Sequence, residues 1–163
     1  MAAGAVPASS QSDGRWKVVF VPKASDPKSA ADIAADGIDL TYSFTADGFN
    51  YSLTQATVED KRLTLDQDLS RPGRKTETLE VRYVDTTESD SADDVLAEGT
   101  EGYFVVRRGV ANADAIAQND VADIITFVAG AKRPDAPVEN GVDTVSQTIF
   151  ITAPTQRDVT VGA

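Results

Sequence analysis

Two segments of the chain alternate apolar and polar residues, and a highly charged stretch separates them. Residues 49–53 read FNYSL and residues 79–83 read LEVRY, so apolar side chains recur at every second position. A period of two places these side chains on one face of a half-buried strand. The charged stretch, 59–75, is longer than the roughly 12–15 residues that structureless connections usually reach, and connections of that length are usually functional or disordered.

Further strands are expected where β-branched and aromatic residues cluster. The Asp47-Gly48 pair is typical of a tight turn between two strands. Pro and Gly in 129–141 predict a loop. These additional strands are predicted at 18–21, 38–45, 103–106, 121–128 and 147–152, with a short pairing segment at 159–161.

Two segments have helix signals. Residues 89–99 begin with Ser89 or Ser91 as an N-cap, continue with acidic residues that suit the positive end of a helix dipole, and end at a glycine. Residues 25–37 predict at most a short helix or a helical turn, with Ser25 or Asp26 as the cap and Gly37 as the terminator.

Together these elements predict a mainly β fold with one short flanking helix. About seven or eight strands with frequent turn signals favour a β-sandwich or an open barrel. The chain has 163 residues and no internal repeat, which suits a single domain. We expect a flexible N-terminal arm at 1–14 and one β-sandwich domain at 15–163.

The composition excludes several classes of site. The chain contains no Cys and no His, which removes disulfides, Cys/His zinc sites and Ser-His-Asp triads. No nucleophile–base pair and no phosphate-binding glycine loop is present, so we expect no enzyme activity and no cofactor. No apolar run reaches the roughly 20 residues that a membrane-spanning helix needs.

The charge balance is strongly acidic. Twenty-six Asp and Glu against 15 Lys and Arg give a net charge of −11, which should repel nucleic acid and anionic membranes. A requirement for solubility alone explains the same balance.

Two groups of carboxylates are candidates for a calcium-binding site and for a catalytic pair. The acids of 84–94 lack the glycine and the final glutamate of a twelve-residue calcium loop, so a solvated loop followed by a helix start explains them better. Asp66 and Asp68 have the spacing of paired carboxylates on a strand, but no free aromatic platform for a sugar lies near them. The acids of the first group are Asp85, Glu88, Asp90, Asp93 and Asp94.

Two local basic patches stand out in so acidic a chain. Arg71, Arg74 and Lys75 form one, and Arg107 and Arg108 form the other. Both are too small, and too poor in exposed aromatics, for nucleic-acid binding. They suit contacts with acidic patches on another copy of the chain, and a merely soluble surface is the competing interpretation.

Three segments in this order carry a resemblance to a known family. They are DGFNYSLTQATVEDKRLTLDQDLSRPGRKTETLEVRYV, LAEGTEGYFVVRRGV and DIITFVAGAKRPDAPVENG. With their spacing, they make the chain resemble the major tail proteins, or tail tube proteins, of long-tailed phages that infect actinobacteria.

This resemblance implies a tail-tube-like sandwich that assembles as hexameric rings, which stack into a tube for genome delivery. It also implies that 60–76 is a loop that reaches a neighbouring subunit and becomes ordered only against it. Opposite charges on copies of this loop would pair, and a net-acidic wall would let DNA slide without sticking. The inter-subunit residues predicted on this basis are Asp60, Asp66, Asp68, Arg71, Arg74 and Lys75.

The implied partners are further copies of the chain and other tail proteins, namely a tape measure protein, a tail terminator and baseplate or distal tail proteins. Double-stranded DNA would pass through the lumen without specific binding, and no membrane is involved. The implied location is the virion tail, after synthesis in the host bacterial cytoplasm. The alternative is a monomeric β-sandwich that binds a surface ligand, either adhesin-like or carbohydrate-binding.

Overall fold

The computed structural model describes residues 4–163 and is mainly β, as predicted. Eight strands belong to one sheet that curls into a half-barrel, so the open-barrel form of the prediction is confirmed. The strands are β1 (Trp16–Pro22), β2 (Ile38–Asp39), β3 (Phe44–Asp60), β4 (Leu69–Val84), β5 (Glu101–Arg108), β6 (Val121–Pro134), β7 (Thr144–Ile151) and β8 (Gln156–Thr160). The helices are α1 (Ala30–Asp36) and α2 (Ala92–Val95).

Every strand pairing in the sheet is antiparallel, and the strand order is β2-β1-β5-β6-β7-β4-β3. β8 pairs with the first residues of β6, and β7 pairs with the later residues of the same strand. Within the predicted arm, residues 4–12 form no strand or helix, and residues 1–3 lie outside the described part of the chain.

The two faces of the sheet carry separate hydrophobic clusters. Adjacent residues of β5 divide between them, because side chains of a strand alternate in direction: Phe104 belongs to the larger cluster and Val105 to the smaller. In the larger cluster the Phe104 and Phe127 rings stack with their centroids 4.1 Å apart. β5 is therefore a central strand that is buried on both faces.

The described residues form two helices, where the sequence predicted one firm helix. The prediction of which helix is the longer was wrong. Ser91 caps α2 as expected, but α2 has only four residues because Leu96 turns away to join the larger core cluster. α1 is the longer helix, and its cap is Ser29, not Ser25 or Asp26. Its Ile33 packs in the smaller cluster, which stabilises a helix that local propensity alone leaves marginal.

Three predicted strand boundaries are wrong. Residues 38–45 are not one strand: β2 stops after two residues, a turn follows at 41–43, and β3 starts at Phe44. Gly48 does not form a turn but lies within β3, at a shift of register against β4. A Cβ at this position would lie 2.1 Å from the carbonyl oxygen of Arg82, so the bulge needs glycine. β6 continues to Pro134, through the first part of the predicted 129–141 loop.

Tyr83 and Gln147 form a hydrogen-bonded network in the core, whereas Nε of Arg107 and Oδ1 of Asn112 are buried without a hydrogen-bond partner among the described residues. The hydroxyl of Tyr83 donates to Oε1 of Gln147 (3.1 Å), whose amide nitrogen donates to the carbonyls of Leu96 (3.0 Å) and Gly130 (2.7 Å). Burial raises the pKa of Tyr83 above its ordinary value, with a smaller contribution from nearby aspartates. The phenol is thus a neutral hydrogen-bond donor that fixes β7 against β4.

Arg107 is the largest fully buried side chain, with 1% of its surface exposed. Its guanidinium donates to three carbonyls of the following loop and to the carboxylate of Asp120 (3.0 Å). The backbone N–H of Ala117, and then Arg107, lower the pKa of Asp120. The prediction that Arg107 and Arg108 form a surface patch is therefore wrong, since adjacent strand residues point to opposite faces.

The substitution Arg107→Leu should lower the free energy of unfolding by about 3 kcal/mol, because the loop carbonyls and the Asp120 carboxylate lose their buried partner. Chemical denaturation measures this loss. The matched control is Arg133→Leu, which breaks a solvent-exposed pair with Glu80 and should cost less than about 1 kcal/mol. Equal losses in the two variants would contradict the assigned role of Arg107.

The substitution Gly48→Ala should lower the free energy of unfolding by about 2 kcal/mol, since the added methyl group forces β3 away from β4. Gly4→Ala is the control, because no atom lies within 4 Å of the position of its added Cβ. Thermal unfolding of both variants tests the bulge, and an unchanged melting temperature for Gly48→Ala would refute it.

Candidate assembly surface

The charged stretch 59–75, expected as a loop, is for the most part a hairpin. β3 and β4 pair from Phe49 opposite Val81 out to Asp60 opposite Leu69, so the connection is only 61–68. Within the predicted loop at 60–76, residues 69–76 are therefore strand, and the contact of this segment with a neighbouring subunit stays a prediction. Sequence reasoning placed strands on both sides of this stretch but missed residues 69–75 of β4, because both faces of the strand are exposed there and no apolar alternation marks it.

Local contacts hold the outer hairpin together. The hydroxyl of Thr54 donates to the carbonyl of Thr76 (3.5 Å), and the side-chain amide of Gln55 donates to the carbonyl of Gly73 (3.2 Å). A second shift of register follows at Gln55, where a Cβ on Gly73 would lie 2.9 Å from the carbonyl oxygen of Ala56. Gly73 thus permits a bulge at this point of the hairpin.

The hairpin projects beyond the rest of the sheet. β7 pairs with β4 only from Leu79 to Val84, so residues 69–78 contact β3 alone on their hydrogen-bonding edges. A two-stranded ribbon without a packed face is marginal by itself in water. Large apolar side chains are nevertheless exposed on it, at Leu53, Val58, Leu63, Leu65 and Leu69.

The predicted inter-subunit residues all lie on this hairpin, but only two of them contact each other. Arg71 pairs with Asp60 (3.1 Å), which also binds Arg62 (2.6 Å). The hydrogen bond that Arg62 donates to the Asp60 carboxylate raises the pKa of Arg62 above its ordinary value, so that side chain stays charged. Among residues 4–163, no ion pair forms at Asp66, Asp68, Arg74 and Lys75.

The outer edge of β3 is the most distinctive feature of the surface. β3 is the last strand in the order of the sheet, and in the described part of the chain its outer side pairs with nothing. No charged residue occurs between Gly48 and Val58. Long exposed edges are normally protected by charge, proline or bulges, and β4 has such residues in Arg71, Pro72 and Lys75. The β3 edge lacks both charge and proline over this stretch, so the two bulges at Gly48 and Gln55 are its protection. The absence of charge was visible in the sequence.

The opposite end of the sheet is protected. β2 covers β1 at Val19 and Phe20, and the hydroxyl of Thr41 accepts a hydrogen bond from the backbone N–H of Val18 (3.0 Å). The two ends of the sheet therefore differ, with a short covered end and a long open one.

Two arginines stack on aromatic rings near the open end of the larger core cluster. The guanidinium of Arg108 lies 5.7 Å from the ring centroid of Trp16 and pairs with Asp123 (2.8 Å). Arg157 lies 4.9 Å from the ring centroid of Tyr51 and donates to its hydroxyl (2.6 Å). Burial, and then Glu77, raise the pKa of Tyr51. These pairs join distant parts of the chain, so no local pattern predicted them.

The carboxylate groups weighed from the sequence do not converge. Across residues 4–163 no three acidic side chains come together in a way that could hold a metal ion. Asp93 instead pairs with Lys132 (2.8 Å). No helix in the same range is long and apolar enough to cross a membrane.

Comparison with known proteins identifies the family. A family model described as "Phage tail tube protein" matches residues 4–163. The chain belongs to the phage tail tube protein family. It is thus a structural tail protein and a virion component, as the three sequence segments indicated.

One solved structure extends this result to the fold. A chain in the cryo-EM structure of the anti-feeding prophage baseplate, 6-fold symmetrised, is similar with a TM-score of 0.57. The sequence identity is 10%, and the alignment covers 96% of each chain. At that identity the likeness shows the fold alone. No curated protein matches the sequence.

Proposed function

We propose that this chain is a non-catalytic subunit that polymerises through the open edge of β3 and through the hairpin. Copies form hexameric rings, and the rings stack into a tube through which the genome leaves. The observation that carries the proposal is the uncharged edge between Gly48 and Val58, which no strand covers. Such an edge is a template for pairing with another chain, and a closed ring removes it.

Membership of the tail tube family supports a polymer of identical subunits. The hairpin supports it further, because leucines at its outer end are exposed, Leu63 to 95%. Residues 15–163 would act as one rigid domain of the ring, with 1–14 as an arm. The predicted actinobacterial host stays a prediction.

The acidic surface suits the passage of DNA. With a net charge of −11, a wall of these subunits repels phosphates, so the genome moves without being held. Tube growth needs partners at both ends, for which we propose a tape measure protein, a tail terminator and baseplate or distal tail proteins. The subunit would be made in the host cytoplasm and function in the virion tail.

The β3 edge is tested with the double substitution Ser52→Lys and Thr54→Lys. Two lysines on the exposed edge should prevent pairing between copies and abolish tubes, while leaving the monomer folded. Negative-stain microscopy and sedimentation velocity measure assembly, and circular dichroism measures folding.

The matched control is Thr148→Lys, on an exposed position of β7, because β7 lies between β4 and β6 and has no open edge there. This variant should form tubes. Normal tubes from the Ser52 and Thr54 variant would contradict pairing through β3, and a strictly monomeric unchanged chain would favour the alternative of a surface-binding module.

The hairpin charges are tested by Arg71→Glu with Arg74→Glu. Reversal removes the Arg71–Asp60 pair and places like charges opposite the acidic surface of a neighbouring copy, so assembly should be hindered. Because both side chains are exposed, the monomer should stay folded. The control is Lys23→Glu with Lys28→Glu, which makes the same change in net charge away from the hairpin. Normal tubes from the Arg71 and Arg74 variant would exclude these residues from the contact.

A further inference from the structure

The outer end of the hairpin presents apolar side chains next to basic ones. Leu63 is 95% exposed, and Leu65 is also exposed. Lys61 and Arg62 precede them, each paired only with a hairpin carboxylate two residues before it, Glu59 and Asp60 respectively. Exposed pairs of this kind contribute less than about 1 kcal/mol, so both cations remain available for a stronger partner. We call residues 61–65 the tip.

A cleft of about 430 Å³ lies at the other end of the same strand, where β3 begins. Its walls are aromatic and apolar, and two of these side chains face solvent: Tyr42 is 84% exposed and Trp16 is 39% exposed. Aromatic residues of this kind are the usual anchors of protein contacts. The apolar and aromatic residues that line the cleft are Trp16, Val18, Tyr42, Phe44 and Phe49.

Carboxylates border this cleft. Asp13 is among its lining residues and forms no ion pair within the described chain. Asp47 follows two residues after Thr45 in the wall and accepts a hydrogen bond from the Thr45 hydroxyl (3.1 Å). It also pairs with Arg82 at 3.6 Å, but it is 78% exposed, so this pair is weak and a second cation can reach the carboxylate. The cleft thus combines an apolar floor with acidic groups, which complements a leucine tip flanked by Lys61 and Arg62.

The tip and the cleft cannot meet within one copy. β3 has 17 residues, and the cleft and the tip lie at its two ends. At roughly 3.3 Å per residue they are about 50 Å apart along the strand. A contact between them therefore joins two copies head to tail, and repetition of that contact either closes a ring or extends a polymer.

We propose that the hairpin tip of one copy inserts Leu63 and Leu65 into the Trp16–Tyr42 cleft of the next copy, while Lys61 and Arg62 pair with Asp13 and Asp47. This inference rests on the proposed function, because it names the surface that receives the hairpin. Trp16 is the only tryptophan of the chain, so its fluorescence reports directly on the contact.

Two complementary variants test the insertion, both built on the full chain with Ser52→Lys and Thr54→Lys so that edge pairing is blocked. The acceptor variant adds Leu63→Asp and Leu65→Asp, which destroys the tip and keeps the cleft. The donor variant adds Trp16→Ser and Tyr42→Asp, which destroys the cleft and keeps the tip. Each alone should be monomeric, and an equimolar mixture should form a 1:1 dimer in sedimentation velocity.

Fluorescence gives a second readout of the same mixture. Only the acceptor variant retains tryptophan, so a blue shift on mixing reports burial of its Trp16 under the partner's tip. Circular dichroism of each variant checks folding, and a donor variant with Tyr42→Asp alone repeats the sedimentation measurement if Trp16→Ser unfolds the chain.

A charge exchange tests the ionic part of the contact, again with edge pairing blocked. Lys61→Glu with Arg62→Glu in the donor should weaken the dimer about tenfold, and Asp13→Lys with Asp47→Lys in the acceptor should restore it.

The outcomes separate the two proposals. A 1:1 dimer with a blue shift supports insertion of the tip. Monomers in the mixture, while the unchanged chain forms tubes, overturn the insertion and leave the proposed function standing. An unchanged chain that never assembles overturns both.

Discussion

The structure depends on one constraint. The backbone N–H and C=O groups along the outer edge of β3 need hydrogen-bond partners, and the sheet formed by residues 4–163 supplies none. An antiparallel sheet satisfies its inner strands completely and leaves one row of N–H and C=O groups at each end. Here β2 and Thr41 shield one end, whereas β3 presents a long edge without charge. Water satisfies these groups in the monomer, and another copy can replace that water.

The core makes such an open edge tolerable. Two hydrophobic clusters cover the two faces of the central strands, and the Arg107 and Gln147 networks fix the loops and strands around them. The subunit is therefore stable at its centre without using the hairpin. This division leaves the hairpin, with its exposed leucines and balanced charges, available for contacts between copies.

The sequence predicted those parts of the fold in which one face is buried. Residues 79–83 alternate because Leu79, Val81 and Tyr83 enter the core, and the predicted strand is correct. Residues 69–75 belong to the same strand but have water on both faces, so their charges suggested a loop. Gly48 lies at a bulge and not at a turn. The sequence did not show this, because the β4 residues opposite the bulge are distant in the chain. Arg107 looked like surface charge, but adjacent residues of β5 point to opposite faces and its side chain is the one that is buried.

By itself the sequence determined the mainly β class, the absence of Cys/His chemistry and the resemblance to tail tube proteins. All of these follow from local periodicity, residue type or the order of motifs, none of which needs a three-dimensional contact. Only the tertiary structure decided that 59–75 is mostly hairpin, that β3 ends the sheet, and that Trp16 and Tyr42 border a cleft far from the tip. The physical reason is that strand order and register depend on pairings between residues far apart in the chain, which local patterns do not encode.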